Sequence, residues 1–383
     1  MYAPNKNEAF YVSLKFLNIV KIYPFKATED GFYFRLVRWA FCTVILSEVI
    51  AHVIMTLKDN VPIDLSEDVV GLTASVNCLL ITLIFENQKF RWSTLLIDVA
   101  NVSKFGVPPN MAVAIKKSSR HALIFFAYAV FAVSMYSVVS VFIESVRCDQ
   151  LNKEKGLREI CYTITPFWWP YSSAEFNPLF YIPINVHQYI TLMLWYPVAA
   201  MIIFISVEAV AIIKAKIEHM QDLFEETFAT EDFSLQKKRM GICIRYHQEI
   251  IRLGTELNVL FKQLFGQMSF LSAVVVSFIC NQILRQYSIG ATLHLIGYWA
   301  GICLICHIGQ NVSDDTYSVK DRAYSCEWYL NDPKLAKDLQ LVILRSQKPI
   351  FMQSIPFGNF SYSILITIIK TAYSYLTLIT NTE

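Results

Sequence analysis

Charge is what this sequence has least of. Asp, Glu, Lys and Arg make up 17% of its 383 residues, where a soluble chain of that size carries about a quarter. The 33 basic and 31 acidic residues leave a formal net charge of only +2. The first shortage excludes a large water-facing surface, and the second excludes the one-signed field that proteins use to neutralise nucleic-acid phosphates. Glycine (12) and proline (13) are too scarce for a collagen-like or low-complexity chain. There is no Gly-x-Gly-x-x-Gly, Walker loop, His-Glu-x-x-His or Gly-x-Ser-x-Gly, so the common phosphate, zinc and acyl-transfer chemistries lack their frameworks. The expectation is no enzyme, no cofactor and no nucleic-acid partner. Residues 1–34 mix Lys6, Lys15, Lys21 and Lys26 with Glu8, Glu29 and Asp30 and hold no apolar stretch with a cleavage site, which speaks against a cleaved signal peptide.

What is present is apolar length: 55% of residues are hydrophobic and 14% aromatic. A helix needs roughly 20 mostly apolar residues to cross about 30 Å of hydrocarbon. Windows at 36–57, 69–85, 122–143, 189–213, 264–284, 288–310 and about 356–380 fit that requirement. The predicted fold class is therefore an all-α membrane protein, one domain over 1–383 with seven transmembrane helices. Orientation follows from lysine and arginine, which are retained on the cytoplasmic side. With the N-terminus cytoplasmic and the C-terminus extracellular, 25 basic residues lie inside and 6 outside. A heptahelical G-protein-coupled receptor has the opposite parity. No Asp-Arg-Tyr ends the third span and no Asn-Pro-x-x-Tyr lies in the seventh, so a metabotropic receptor is the distant alternative.

The loops on the basic side carry helical patterns. Residues 213–227 and 236–261 keep apolar positions three or four apart among charges, on either side of a turn at 229–234. Residues 317–346 do the same, with Leu335, Leu339, Val342 and Ile343 on one face. The segments 214–263 and 311–355 thus read as cytoplasmic helical extensions, forming either an intramolecular bundle or a subunit-contact region.

Ionisable groups inside the bilayer are costly and need partners or water. Glu48 and His52, at i and i+4 on one helix, are expected to satisfy each other. Glu208 and Lys370, in different spans, either meet or face a wet vestibule. Most of the nine cysteines lie in apolar runs and read as packing residues, including the Cys303-x-x-Cys306 pair, so no metal site is expected. Cys148 and Cys161 share the longest outer loop, as a disulfide or as free thiols. The sequons at Asn101, Asn311 and Asn359 fall on the inner side or at the inner edge of this topology and are expected to stay unglycosylated.

Toward the outer ends, several spans carry stripes of aromatic and soft residues at helical spacing: Thr73 and Asn77; Met135, Tyr136, Val139 and Phe142; Tyr189, Met193 and Tyr196; His294 and Tyr298. Each stripe is either core or the wall of a cavity for a small, weakly hydrogen-bonding, volatile organic ligand. Gly297 and Gly301 form a small-x-x-x-small pair suited to helix packing.

The final residues carry the most specific text. Phe360-Ser361, followed by Ile369-Lys370-Thr371-Ala372-Tyr373-Ser374-Tyr375, closely resembles the terminal signature of insect odorant receptors. The related gustatory receptors end in Thr-Tyr, five residues and Gln-Phe. Here Ser374-Tyr375 is followed by five residues and Asn381-Thr382, a departure from the gustatory pattern that disfavours a gustatory-type channel, the near alternative. The resemblance implies a ligand-gated, non-selective cation channel in the plasma membrane of olfactory sensory neurons. It implies a tetramer with the seventh helix, 356–380, lining the pore and the cytoplasmic extensions joining subunits. This chain would be the tuning subunit, assembled with a shared co-receptor into a heterotetramer embedded in lipid. The family pattern carries the gate onto Leu378, with Asn381 and Thr382 one turn outward and Ser374 and Thr371 on the same side.

Overall fold

The computed structural model describes residues 1–26, 31–58, 65–157, 159–168, 177–286, 288–355 and 358–381. Among the described residues, twelve α-helices follow one another: α1 (Tyr11–Ile19), α2 (Phe32–Lys58), α3 (Ser66–Asn87), α4 (Lys89–Ala100), α5 (Met111–Val139), α6 (Ser145–Lys155), α7 (Tyr181–Phe228), α8 (Phe233–Phe265), α9 (Met268–Gln286), α10 (Ile289–Ser325), α11 (Pro333–Ser346) and α12 (Tyr362–Asn381). Seven of the described stretches are long and apolar enough to cross a membrane, each overlapping one expected window.

α7 is the hub. Its apolar window is 83% buried, against 17% for α12, because it packs against α5, α10, α8 and α3 while the other spans leave apolar faces outward. A helix hydrophobic on all sides belongs inside a bundle, and one with a single buried stripe belongs at its edge. α12 has such a stripe, Ile364, Ile368 and Ala372, resting on α9, where the Ser277 hydroxyl donates to the Ala372 carbonyl at 2.9 Å.

Beyond the apolar segments, α7 continues to Phe228 and turns into α8, whose first turn is capped by the Asp232 side chain accepting from Ser234 and Leu235. The third patterned stretch is not one helix. α10 ends at Ser325, a 3-10 turn follows at Trp328–Leu330, and α11 starts afresh at Pro333 with Asp332 accepting from Lys334 N at 2.7 Å. An Asp cap followed by proline at the first helical position is a helix start. Leu335, Leu339 and Val342 then bury the inner face of α11, while Ile343 is half-buried.

The N-terminal segment is packed under this end of the bundle. Phe10, Leu14, Leu17, Ile22 and Tyr23 are fully buried together with Trp92 of α4. Burial pushes the Tyr2 and Tyr23 phenols up to about 12. The last span also departs from its window. The chain before it pairs Gln353 with Asn359 in a short antiparallel bridge, so the helix begins at Tyr362 rather than near Pro356, which lies outside the described residues.

Candidate functional site

A cavity of about 160 Å³ lies between α2, α3, α5, α7, α9 and α10 at the end of the bundle that carries the disulfide loop. Cys148 in α6 is bonded to Cys161, with Cα atoms 5.7 Å apart. Four residues past that bond, Thr165 and Pro166 close one side of the cavity. They are held there by α7, whose Gln188 Oε1 accepts from Ile164 N at 3.0 Å and Thr165 N at 3.1 Å.

Five of the eleven expected ligand contacts line this cavity: Asn77, Tyr136, Tyr196, His294 and Tyr298. The structure brings them together from four helices that are remote in sequence. The Tyr196 hydroxyl and His294 Nε2 are 3.4 Å apart, and Asn77 Nδ2 donates to the Tyr298 hydroxyl at 3.4 Å. The Tyr136 hydroxyl donates to Glu67 Oε1 at 2.8 Å. Tyr136 reaches this position because residue 290 is glycine: a Cβ there would meet its ring carbon at 2.8 Å. Gly297 serves the same purpose for Tyr128, 3.0 Å from where a Cβ would stand, and Gly301 also lines the space.

The other six residues are elsewhere. The Thr73 hydroxyl is turned back onto the Val69 carbonyl at 2.6 Å. Tyr189 bonds to Ser134 at 3.1 Å on an exposed surface, and Met193 packs into the apolar cluster that includes the lining residue Trp195 without bordering the cavity itself. Val139 is buried, Met135 is half-buried, and neither borders the cavity. Phe142 is 70% exposed. A π-helical turn at Ser140–Glu144 explains that miss: one extra residue per turn rotates everything beyond it off the face projected from Tyr136.

Sequence reading missed Glu67, Tyr128, Thr165, Trp195 and Gln282, which all line the cavity. Two carried a signal. Tyr128 lies eight residues before Tyr136, two turns up the same stripe. Trp195 adjoins Tyr196, and its indole N–H donates to Cys42 Sγ at 2.9 Å. Glu67 lies outside the apolar window that begins at Val69, because the helix starts a turn earlier, at Ser66.

The expected Glu48–His52 pair does not form. His52 is inserted between carboxylates from other segments, with Nδ1 2.7 Å from Asp68 Oδ1 and Nε2 2.7 Å from Glu159 Oε2. Glu48 instead accepts from Gln188 Nε2 at 3.2 Å and lies 3.9 Å from His187 Nδ1. Glu208 accepts the Phe10 backbone N–H at 2.8 Å, and Lys370 is exposed on α12. Cys303 and Cys306 are unbonded thiols.

On α12, Ser374 and Leu378 are exposed one turn apart, off the stripe that packs on α9, and Thr371 is half-buried. The Thr371 and Ser374 hydroxyls fold back onto the carbonyls of Thr367 and Lys370. Thr382 and the Asn381 side chain lie outside the described residues.

A model of the 7tm Odorant receptor family matches residues 62–373. Among curated proteins, odorant receptor 85b of Drosophila melanogaster is 28% identical over 144 residues, 36% of each chain. Odorant receptor 22c of Drosophila melanogaster is 30% identical over 156 residues, 39% of this chain and 38% of its own. The matches thus span little more than a third of these relatives. Among solved structures, the insect olfactory receptor OR5 from Machilis hrabei in complex with eugenol superposes with a TM-score of 0.75 over 98% of both chains at 13% identity, a likeness of fold.

Proposed function

The chain belongs to the 7tm odorant receptor family, and from that premise we propose that it is the ligand-binding subunit of an odorant-gated, non-selective cation channel. The observation that carries this reading is the cavity. It is mostly apolar and crossed by a few polar groups from separate spans, the composition that small-molecule sites share. A volatile ligand held there touches α2, α3, α5, α7, α9 and α10 at once, so its binding energy bears on how those helices pack. α9 and α10 both contact α12, which links the cavity to the seventh span.

α12 is the pore helix in this reading. Its exposed Ser374 and Leu378 face away from the chain's own core, as residues facing a central axis shared with other subunits would. A ring of leucines closes a pore by dewetting and opens when the helices separate. Leu378 is the gate, followed by Asn381 and Thr382. The 25-to-6 bias of basic residues supports an N-terminus inside. The extensions at 214–263 and 311–355 then form a cytoplasmic region that joins this chain to a co-receptor in a heterotetramer. Its place of work is the plasma membrane of olfactory sensory neurons.

The test is whole-cell recording from cells expressing this chain alone and with a co-receptor, under a panel of volatile compounds. A ligand-evoked cation current that needs this chain supports the reading. Leu378→Ala should add current without ligand. If the chain reaches the surface and changes the co-receptor's response to no compound, the reading fails.

A further inference from the structure

The chemistry of the cavity is one-sided. Among the described residues, its lining holds one carboxylate, Glu67, and neither lysine nor arginine. Glu67 stands in the first turn of α3 beside Asp68. Both nearby histidines are committed elsewhere: His52 is shared between Asp68 and Glu159, and His294, in the lining, meets the Tyr196 hydroxyl. Glu67 accepts from a neutral hydroxyl, that of Tyr136. A second carboxylate, Glu144, is likewise held by hydroxyls, those of Ser288 and Ser140. Hydroxyls solvate a carboxylate without neutralising it, and a desolvated charge without an opposite partner is unfavourable.

Two further observations point the same way. Asn77 is 2% exposed and lines the cavity. Its amide nitrogen donates to Tyr298, but its Oδ1 accepts from nothing. The wall also carries the rings of Tyr136, Trp195, Tyr196 and Tyr298, whose faces attract cations. Among the described residues, the lining thus offers no lysine or arginine to Glu67 and no donor to Asn77 Oδ1.

We infer that the ligand class of this cavity is a small protonated amine, with its ammonium group paired to Glu67 and its apolar body along the tyrosine wall. The inference rests on the cavity being the ligand site proposed above. Asn77 lies ten residues from Glu67 on the same helix, about 15 Å along its axis at 1.5 Å per residue. A compact ligand therefore places its ammonium group at Glu67, and Asn77 Oδ1 takes a second donor only from a longer one.

The experiment is thermal stabilisation of the purified full-length protein by three probes with the same body: 2-phenylethylamine, 2-phenylethanol and ethylbenzene. The amine is expected to stabilise at a concentration at least tenfold below the alcohol, and the hydrocarbon least. Glu67→Gln should collapse that preference and Glu67→Asp should keep it. Equal or better stabilisation by the alcohol, stabilisation by none of the three, or an amine preference that survives Glu67→Gln overturns the inference. The ratio on the parent protein decides even if Glu67→Gln does not accumulate. Stabilisation is read without current, so the two readings fail separately. Amine preference in a protein that carries no ligand-evoked current removes the channel and leaves the amine site. Odorant-evoked current without amine preference does the reverse.

Discussion

Glu208, deep in α7, accepts a hydrogen bond at 2.8 Å from the backbone N–H of Phe10, near the other end of the chain. Phe10 has φ 67° and is fully buried, a left-handed conformation uncommon for a bulky residue. The carboxylate therefore anchors the N-terminal segment. Glu208→Ala leaves a buried N–H without an acceptor and is expected to cost ~1–3 kcal/mol, read as a lower melting temperature of the purified protein. Glu208→Gln keeps an acceptor and should lose less. Equal melting of both variants and the parent would show that the contact contributes nothing.

The His52 cluster yields a sharper contrast. Removing the imidazole leaves Asp68 and Glu159 without the cation between them, and breaking a buried charge cluster this way costs ~3–5 kcal/mol. In double-mutant cycles, His52 and Asp68 should couple by ~1 kcal/mol or more, whereas His52 and Glu48 should stay within ~0.5 kcal/mol of additivity. A strong Glu48 coupling would restore the pairing that helix spacing alone suggests.

These two clusters mark where the sequence stops being readable. Spans were legible because apolar length is a local property, and the tail from Phe360 to Tyr375 carried the family. Partners were not legible, because helix spacing sees only the residue's own helix. Glu48 is four residues from His52, but the groups that hold His52 are 16 and 107 residues away. The same limit explains the cavity. Tyr136 and Tyr196 could be picked from their stripes, but the π-helical turn that moves Phe142 out, and the early start of α3 that brings Glu67 in, depend on packing. The restart of α11 was visible in Asp332-Pro333, a signal that the surrounding apolar periodicity concealed.

Within the cavity the expected responses differ by position. Tyr196→Ala and His294→Ala should each raise the ligand concentration for half-maximal response by roughly tenfold or more, since ~1.4 kcal/mol of lost contact is a factor of ten. Phe142→Ala and Met193→Ala, outside the lining, should change it far less. Dose-response curves normalised to surface expression decide this, and a larger shift at Phe142 than at Tyr196 would put the site elsewhere.

The disulfide fixes the loop that closes the cavity. Cys148 and Cys161 are 13 residues apart, and closing a loop of about 15 residues stabilises by ~3 kcal/mol. Cys148→Ser and Cys161→Ser should each lower the melting temperature, and the double variant should be no worse than either. Cys303→Ser, an unbonded thiol, should behave like the parent. If the double variant were clearly worse than both single ones, the cysteines would be acting independently of each other.

The entry into α12 depends on a single glycine. A Cβ at Gly309 of α10 would stand 2.3 Å from the carbonyl oxygen of Phe360 and 2.8 Å from its Cβ. Phe360 has little room to yield. Its N–H donates to the Met352 carbonyl at 2.7 Å, its ring meets Phe261 at 5.6 Å between centroids, and it is 3% exposed. Because the obstacle is backbone rather than the end of a flexible side chain, Gly309→Ala must displace either α10 or the segment leading into Tyr362. Overpacking of this kind costs ~1–3 kcal/mol. Gly71→Ala is the control: it lies inside α3, where an added methyl group meets nothing within 4 Å, so helix propensity should give back up to ~1 kcal/mol. Melting of the two variants should therefore move in opposite directions from the parent. In recordings, Gly309→Ala should also disturb opening, because the displaced segment is the start of the proposed pore helix. A Gly309→Ala protein that melts with the parent would mean that α10 and the α12 entry do not approach each other this closely.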